Sequence, residues 1–578
     1  MHEGTRKRAL AAARLPALNG RCRLFQRAWA VSAQLARACR DAVLRQSLEA
    51  ILLGSIFLTY AFFYQGSGFN EAARFDAIRA LVERGTLRVD EFAGNSADLV
   101  VIDGSYYSSK APGASILGAP VFWVFAKALA ALPISEGLRY HLACHATTLL
   151  TVSLLSALMA LAIFRLARLF GAGERRALWV ALALALGTNI FPFATLFMSH
   201  TETAALLIFA FAQIFARRKA VDAERARAAQ EAREARGEKA WSGGLWSLAW
   251  VGALLGFAIA LEYTAAIGVA ILACYGAWAL ARERAPLKAW AAPALGFLLG
   301  LIPLAWYNWA AFHQVFFVPY EAYRNAQNSS FQAHRKGILG IRVALFEPEY
   351  WPTFLSNLKS IAIAPIRGLF YDCPALLAAL PGFVALTRPK WRALRAEAIV
   401  AGAMAVAYFA MNASYGDGIA YWGGGTSYGP RHVIAALPFF ALPMVAALEW
   451  AWARRALAAT LPISILFCLM ATAIEPRAPY APANPVFSFY VPKFFAGELA
   501  LNRNGVFSQE PIVGSSVAFN LGGVAGLPAS LQLWPLYALW VLAAYALDLK
   551  IGDDRRPLAR AAAAFAGILM FFQGLGAL

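Results

Sequence analysis

The sequence predicts an all-α polytopic membrane protein with about thirteen transmembrane helices, and amphipathic helices in a large first outer loop. Three observations carry that expectation. Of the 578 residues, 60% are hydrophobic and only 15% charged, with a mean hydropathy of +0.54, where a soluble domain carries about 25% charged residues. Apolar runs long enough to span a bilayer recur along the whole chain. The basic residues fall into alternate loops, so the net charge of +19 reads as a record of membrane orientation and gives no sign of a nucleic-acid partner.

The runs lie near 48–64, 141–163, 177–198, 201–216, 245–261, 264–281, 289–311, 371–387, 396–411, 433–451, 456–474, 531–547 and 561–576. The stretch 113–132 is as apolar as these. Loops 165–176, 217–240, 282–288, 388–395, 452–455 and 548–560 hold 25 Lys/Arg, whereas the intervening short connections hold almost none and carry Glu202, Glu262 and Asp417. The positive-inside rule makes the first set cytoplasmic. Residues 1–47 contain ten Lys/Arg and are expected to form a basic cytoplasmic arm; they do not read as a secretory signal, and an over-early translation start is the rival explanation. Both assignments require an even number of crossings between 47 and 165, so 113–132 is expected to dip into, or lie along, the outer face.

The outer face then receives 65–140, 312–370, 412–432 and 475–530. The inner face receives short basic turns and the charged segment 217–240, which reads as a solvated helical extension. The cysteines at 22, 39, 144, 274, 373 and 468 form no CxxC pair and no zinc-like cluster with His, which argues against a disulfide framework or a structural metal.

In the first outer loop, Phe75, Ile78, Ala80, Leu81 and Val82 recur at roughly helical spacing. They predict an amphipathic helix along the membrane surface, with Glu71, Arg74 and Asp76 near its start. Acidic residues there cap free N–H groups and suit the helix dipole, or serve chemistry. The loop ends in YYSSKAPG, 106–113, where Lys110 beside Tyr107 suits a lipid phosphate or simple snorkelling. His200 and Glu202 occupy a short outer turn, where a carboxylate is costly unless it meets water, a partner or a ligand. Glu262 and Tyr263 interrupt a long apolar run and predict a tight outer turn, with helix capping as the simplest role for Glu262. Residues 412–439, NASYGDGIAYWGGGTSYGPRHVIAALPF, combine three glycines with Tyr421, Trp422 and Tyr428 as stacking faces and Arg431 and His432 as cationic donors. An aromatic interfacial belt is the alternative. No Walker-type phosphate loop, HExxH or Ser-His-Asp order is evident.

The order NExARF, a helix, then YYSSKAPG entering an apolar segment resembles the first periplasmic loop of the membrane-embedded C-type glycosyltransferases, in the branch of the aminoarabinose transferase and the protein O-mannosyltransferases. WGGGTSYGPRH and APIRGLFYDCPALLAALPG, with Arg367, are similar to later loops of bacterial members. The resemblance implies a single transmembrane glycosyltransferase-like domain over 48–576 and a polyprenyl-phosphate sugar donor. It implies donor-phosphate binding by Lys110, Arg431 and Arg367, and sugar binding by Tyr107, Tyr421, Trp422, Tyr428 and His432. Glu71 falls on the second residue of the family's acidic pair, and Asn70 stands where the first would be. This departure leaves Glu71 and Asp76 both open as the catalytic base. The resemblance also allows a divalent metal at Glu202 and His200, but implies no firm cofactor.

The expected activity is therefore transfer of a sugar from a polyprenyl-phosphate carrier to a lipid, polysaccharide or protein acceptor at the outer face of the cytoplasmic membrane. A lipid or sugar transporter or flippase, and a polysaccharide ligase or polymerase, are the alternatives. The sequence shows neither the internal repeat nor the mid-membrane charges that favour a transporter.

Overall fold

Every backbone polar group in a bilayer must be bonded internally, and an apolar chain of this length meets that demand with helices. The structure, a computed structural model, describes residues 46–231, 244–319, 346–415, 422–479, 483–503 and 512–576, with the side chains of 225–231 left out. The N-terminal arm up to residue 45, part of 217–240, Tyr421 and Asp417 lie outside the described residues. So do Arg324, Arg335, Lys336 and Arg342, basic residues of the expected outer loop 312–370.

The protein is a helical bundle. Its main helices are α1 (Leu48–Ala61), α2 (Phe69–Arg84), α3 (Gly113–Ala130), α4 (Glu136–Leu169, with a π turn at Leu149–Ser153), α5 (Glu174–Leu186) and α6 (His200–Glu231). They continue with α7 (Leu245–Leu261), α8 (Ala265–Glu283), α9 (Leu287–Phe312), α10 (Trp351–Ile363), α11 (Ala379–Leu386) and α12 (Arg395–Ala413). The last four are α13 (Leu437–Ala447), α14 (Ala451–Ile474), α15 (Trp534–Ile551) and α16 (Pro557–Gly576). Among the described residues, 8 helices are long and apolar enough to cross a membrane. Leu48–Ala61, Leu245–Leu261, Pro374–Leu386 and Arg431–Ala447 are apolar but shorter. Helix length alone therefore supports fewer crossings than the expected thirteen.

Ion pairs gather the basic loops at one end of the bundle. Arg165 bonds Glu49 at 2.5 Å, Arg176 and Lys390 both meet Glu449, Arg217 meets Glu283 at 2.7 Å and Arg218 meets Glu397 at 2.8 Å. Arg175 pairs with Asp553. The Glu49–Arg165 contact puts the start of α1 and the end of α4 side by side, so the chain leaves this end through α1 and returns through α4. Helix α3, between them, is a continuous 18-residue helix, itself one of the eight, whose Gly113 lies against the backbone at Ala260 and Leu261 and whose Gly118 lies against Thr147.

One expectation for the first outer loop needs correction. Helix α2 does not lie on a surface with one apolar face; Asn70 to Ile78 are all buried, charged residues included, so protein encloses this stretch, while Glu83 and Arg84 at its C-terminal end are exposed. Short strands accompany the helices. Strands β2 (Leu99–Ile102) and β3 (Ser105–Ser108) form a hairpin, whose turn residues Asp103 and Gly104 have φ of 50° and 77°, the left-handed pair that a two-residue hairpin turn requires. Strands β1 (Phe63–Tyr64) and β4 (Phe519–Asn520) pair antiparallel and join the end of α1 to the last outer segment.

Helices α7 and α9 approach so closely that backbone meets backbone. Gly252 and Gly256 face Pro293 and Phe297, and Gly296 and Gly300 face Ala249 and Ala253. The small-xxx-small spacing on both helices permits this, since lipid gives no hydrophobic drive for helices to associate and packing must supply it. Gly252→Ala is expected to cost about 1–3 kcal/mol through overpacking, read as a lower thermal midpoint in detergent. Gly276→Ala, whose methyl would meet only Ile214 at 3.5 Å, leaves that midpoint in place. Equal midpoints for the two variants would refute the close-packing account.

Candidate functional site

At the end opposite the ion-paired basic loops, three segments converge: the first turns of α2, the start of α6, and the turn between α7 and α8. Arg74 links them. Its Nε donates to Asn70 Oδ1 at 3.1 Å, one terminal nitrogen donates to the Ala111 carbonyl at 3.2 Å, and the other donates to Ser199 Oγ at 2.8 Å. The side chain is only 2% exposed and also lies 3.8 Å from Glu262 Oε2. A guanidinium taken out of water is tolerated when it is paired and hydrogen-bonded, and Arg74 is both.

Glu262 is the common acceptor of the group. Helix α7 stops at Leu261, and Glu262 turns extended (φ −153°, ψ 122°), which directs its side chain across to α6 and away from any cap of α8. Ser199 Oγ donates to Oε2 at 2.7 Å, and His200 Nδ1 lies 3.7 Å from the same oxygen. The His200 ring stands edge-on to His432 at 5.7 Å, and His432 stacks on Tyr415 at 4.6 Å and 9°.

Lys110 and Arg431 complete the cationic surroundings. Lys110 Nζ pairs with Asp98 Oδ2 at 3.0 Å, and Asp98 belongs to the turn that leads into the hairpin. The stem of Arg431 lies against Gly424, where an added Cβ would stand 2.8 Å from its Cγ and φ is +77°, so only glycine fits. Arg431 Nε has no hydrogen-bond partner among the described residues.

The other predicted residues are placed differently. Glu71 is buried with both oxygens engaged: Oε1 meets Arg477 at 3.1 Å, and Oε2 accepts from the Gly68 N–H at 3.2 Å, closing the N-terminus of α2. Arg477 also donates to Glu475 at 2.7 Å and to the Gln65 carbonyl at 2.8 Å. Asp76 points elsewhere, accepting from Asn95 at 3.1 Å, and its Oδ2 is buried without a partner among the described residues. Burial pushes its pKa up to about 7 against the pull of Asn95 and Arg79. Arg367 is fully buried and donates to the carbonyls of Gly423 (3.4 Å) and Ala478 (3.1 Å), so it ties the glycine loop to the segment after α14. Tyr428 donates to the Asp372 carbonyl at 3.0 Å, and Trp422 is buried in the core. Tyr107 packs edge-on against Phe312 at 5.2 Å and docks the hairpin on α9.

Glu202 is fully buried, with no hydrogen-bond partner for either oxygen among the described residues. It does not join His200 and Glu262 in a ligand set. Among the described residues, no three His, Cys, Asp or Glu side chains gather closely enough to hold a metal ion. Sequence reasoning had favoured a capping role for Glu262 and passed over Ser199, Glu475 and Arg477. The available signal for the last two was an acid–base pair, Glu475-Pro-Arg477, at the mouth of a span.

No family model matches this sequence, and no curated protein matches it significantly. Among solved structures, the chain is similar to ArnT from Cupriavidus metallidurans bound to undecaprenyl phosphate, with 14% identity and a TM-score of 0.41 over 92% of this chain and 75% of that one. The apo state of the same protein gives 13% identity and a TM-score of 0.38, with the same coverage. ArnT is an aminoarabinose transferase, a C-type glycosyltransferase. At such identities and scores the likeness carries no argument about activity, and the residues themselves carry the functional reading.

Two measurements test this geometry. Glu71→Gln leaves a buried arginine short of its partner and is expected to destabilise the protein by about 3–5 kcal/mol, with part of the loss recovered in the double variant Glu71→Gln/Arg477→Met; additive losses would contradict the pairing. Asp76 has a folded-state pKa above that of an unfolded chain, so its stabilising contribution is full below the ordinary carboxylate range and declines as pH rises to about 7. Unfolding of Asp76→Asn followed across that window is expected to lack this decline.

Proposed function

We propose that the protein transfers a glycosyl group from a polyprenyl-phosphate carrier to an acceptor at the outer face of a bacterial cytoplasmic membrane. The observation that carries this reading is the set of cations on the segments that converge at one mouth of an apolar bundle: Arg74, held beside Glu262, Lys110, paired with Asp98, and Arg431, whose buried Nε has no hydrogen-bond partner among the described residues. A desolvated cation short of partners attracts an anion strongly. A bundle that stands in lipid is suited to an anion that is itself anchored there, because a donor with a long lipid tail brings its phosphate only as far as the membrane surface.

In such a transfer, the bond between the anomeric carbon and the phosphate oxygen breaks and negative charge accumulates on the departing lipid phosphate. Fixed cations aimed at that charge act more strongly on the transition state than on the bound donor, which is the requirement for catalysis. Lys110 and Arg431 are assigned to this phosphate. Arg74, immobilised by its four partners, sets the field between the phosphate and Glu262. Arg367 supports the site from behind by holding the glycine loop against which Arg431 lies. His432, stacked on Tyr415, offers an aromatic face for a sugar, and Tyr421 is kept as a further candidate for the same task.

The test is transfer from a panel of radiolabelled polyprenyl-phosphate sugars by the full-length protein in liposomes, with an envelope extract as the source of acceptors. Lys110→Ala and Arg431→Ala are each expected to lower turnover by about 10²–10³-fold, the range for removing one preorganised charge-stabilising donor. Undiminished turnover in both variants would overturn the phosphate assignment.

A further inference from the structure

A base for this reaction must satisfy two opposed demands. It has to be held still, and it has to show an oxygen to the acceptor. Of the carboxylates near this mouth, Asp98 is paired with Lys110 and Glu475 with Arg477, and the other four differ on that point. Glu71 has one oxygen on Arg477 and the other on the Gly68 N–H. Asp76 is buried against Asn95 with its second oxygen enclosed, and both oxygens of Glu202 are enclosed as well.

Glu262 alone of the four is anchored through one oxygen and open at the other. Ser199, His200 and Arg74 all address Oε2. Among the described residues nothing hydrogen-bonds Oε1, and the side chain keeps 13% exposure against 1% for Glu71. The extended backbone at residue 262 fixes where the carboxylate leaves α7, and the Glu262 N–H is itself held by the Ala258 carbonyl at 3.0 Å. The group is therefore held at the end of α7, beside Arg74, Ser199 and His200.

We propose that Glu262 is the carboxylate that takes the proton of the acceptor hydroxyl, positioned by Ser199, His200 and Arg74; this rests on the glycosyl-transfer reading. The acceptor O–H proton passes to Oε1 while the acceptor oxygen forms its bond to the anomeric carbon. The bond from that carbon to the phosphate oxygen breaks, and its electron pair leaves on the polyprenyl phosphate, whose added charge meets Lys110 and Arg431. Glu262 ends as the neutral acid and returns its proton to water. Ser199 and Arg74 act only through the carboxylate, keeping Oε2 in place so that Oε1 faces outward.

The experiment uses the full-length protein in liposomes with the same donor panel, and measures binding of a radiolabelled polyprenyl phosphate separately from transfer. Glu262→Gln is expected to retain binding of the polyprenyl phosphate and to lose about 10²–10⁴-fold in transfer, the usual range for a positioned base. Glu262→Ala is expected to regain part of its transfer when formate is added, a response that a merely structural role would not give. Wild-type transfer by Glu262→Gln, loss of polyprenyl phosphate binding in that variant, or no formate rescue in a folded Glu262→Ala would overturn the assignment of the base and leave the transfer reading standing. A wild-type protein that neither binds polyprenyl phosphate nor transfers any sugar would reject the transfer reading itself.

Discussion

The end of the bundle opposite the basic loops depends on how a buried guanidinium is satisfied. Arg74 sits where water is scarce, and an unpaired cation there would cost several kcal/mol. Its partners come from the same helix, from the loop before α3, from the start of α6 and from the α7–α8 turn. Meeting the demands of one side chain therefore fixes four segments against one another. Arg477 does the same a short way off, joining Glu71, Glu475 and the Gln65 carbonyl. The charges that the chain places in an apolar setting thus act as its joints, and the open oxygen of Glu262 stands between fixed neighbours.

The two ends of the protein use charge differently. At the basic end most pairs are partly exposed, as for Arg165 with Glu49 and Lys390 with Glu449, and exposed pairs each contribute little. Their effect is collective, since they bring the loops of one surface together. At the other end the pairs of Arg74, Lys110 and Arg477 are enclosed, whereas Arg84 with Glu91 and Lys493 with Glu498 stay more exposed.

Much of the architecture was legible in the sequence, because apolar run length and the Lys/Arg bias are properties of whole segments. The even number of crossings expected between 47 and 165 agrees with the Glu49–Arg165 contact, while the stretch expected to dip into or lie along the outer face forms a helix long and apolar enough to cross. The turn at Glu262 and Tyr263 was legible as well. The enclosure of α2 was not, because periodicity reports how an isolated helix divides its faces and knows nothing of what later segments place over its polar side. The site was legible only in outline: His200, His432, Lys110 and Arg431 were singled out and do lie around one mouth. Glu71 and Arg367 were singled out by residue type, and their partners, Arg477 for one and two backbone carbonyls for the other, come from distant parts of the chain. A pairing between residues 71 and 477 leaves no mark on either local sequence.

That distance bears on how the protein is made. Glu71 and Arg477 are 406 positions apart, and Asn502 reaches back 437 positions to the Gln65 carbonyl. Strand β1 likewise waits for β4. A chain inserted from its N-terminus exposes the first outer loop long before the segment after α14 emerges, so during most of synthesis Glu71 has no cation and Gln65 no amide to meet it. One of the first segments to be made is then among the last to become native, and biogenesis has to shelter an unfinished, partly apolar loop until the final fifth of the chain arrives.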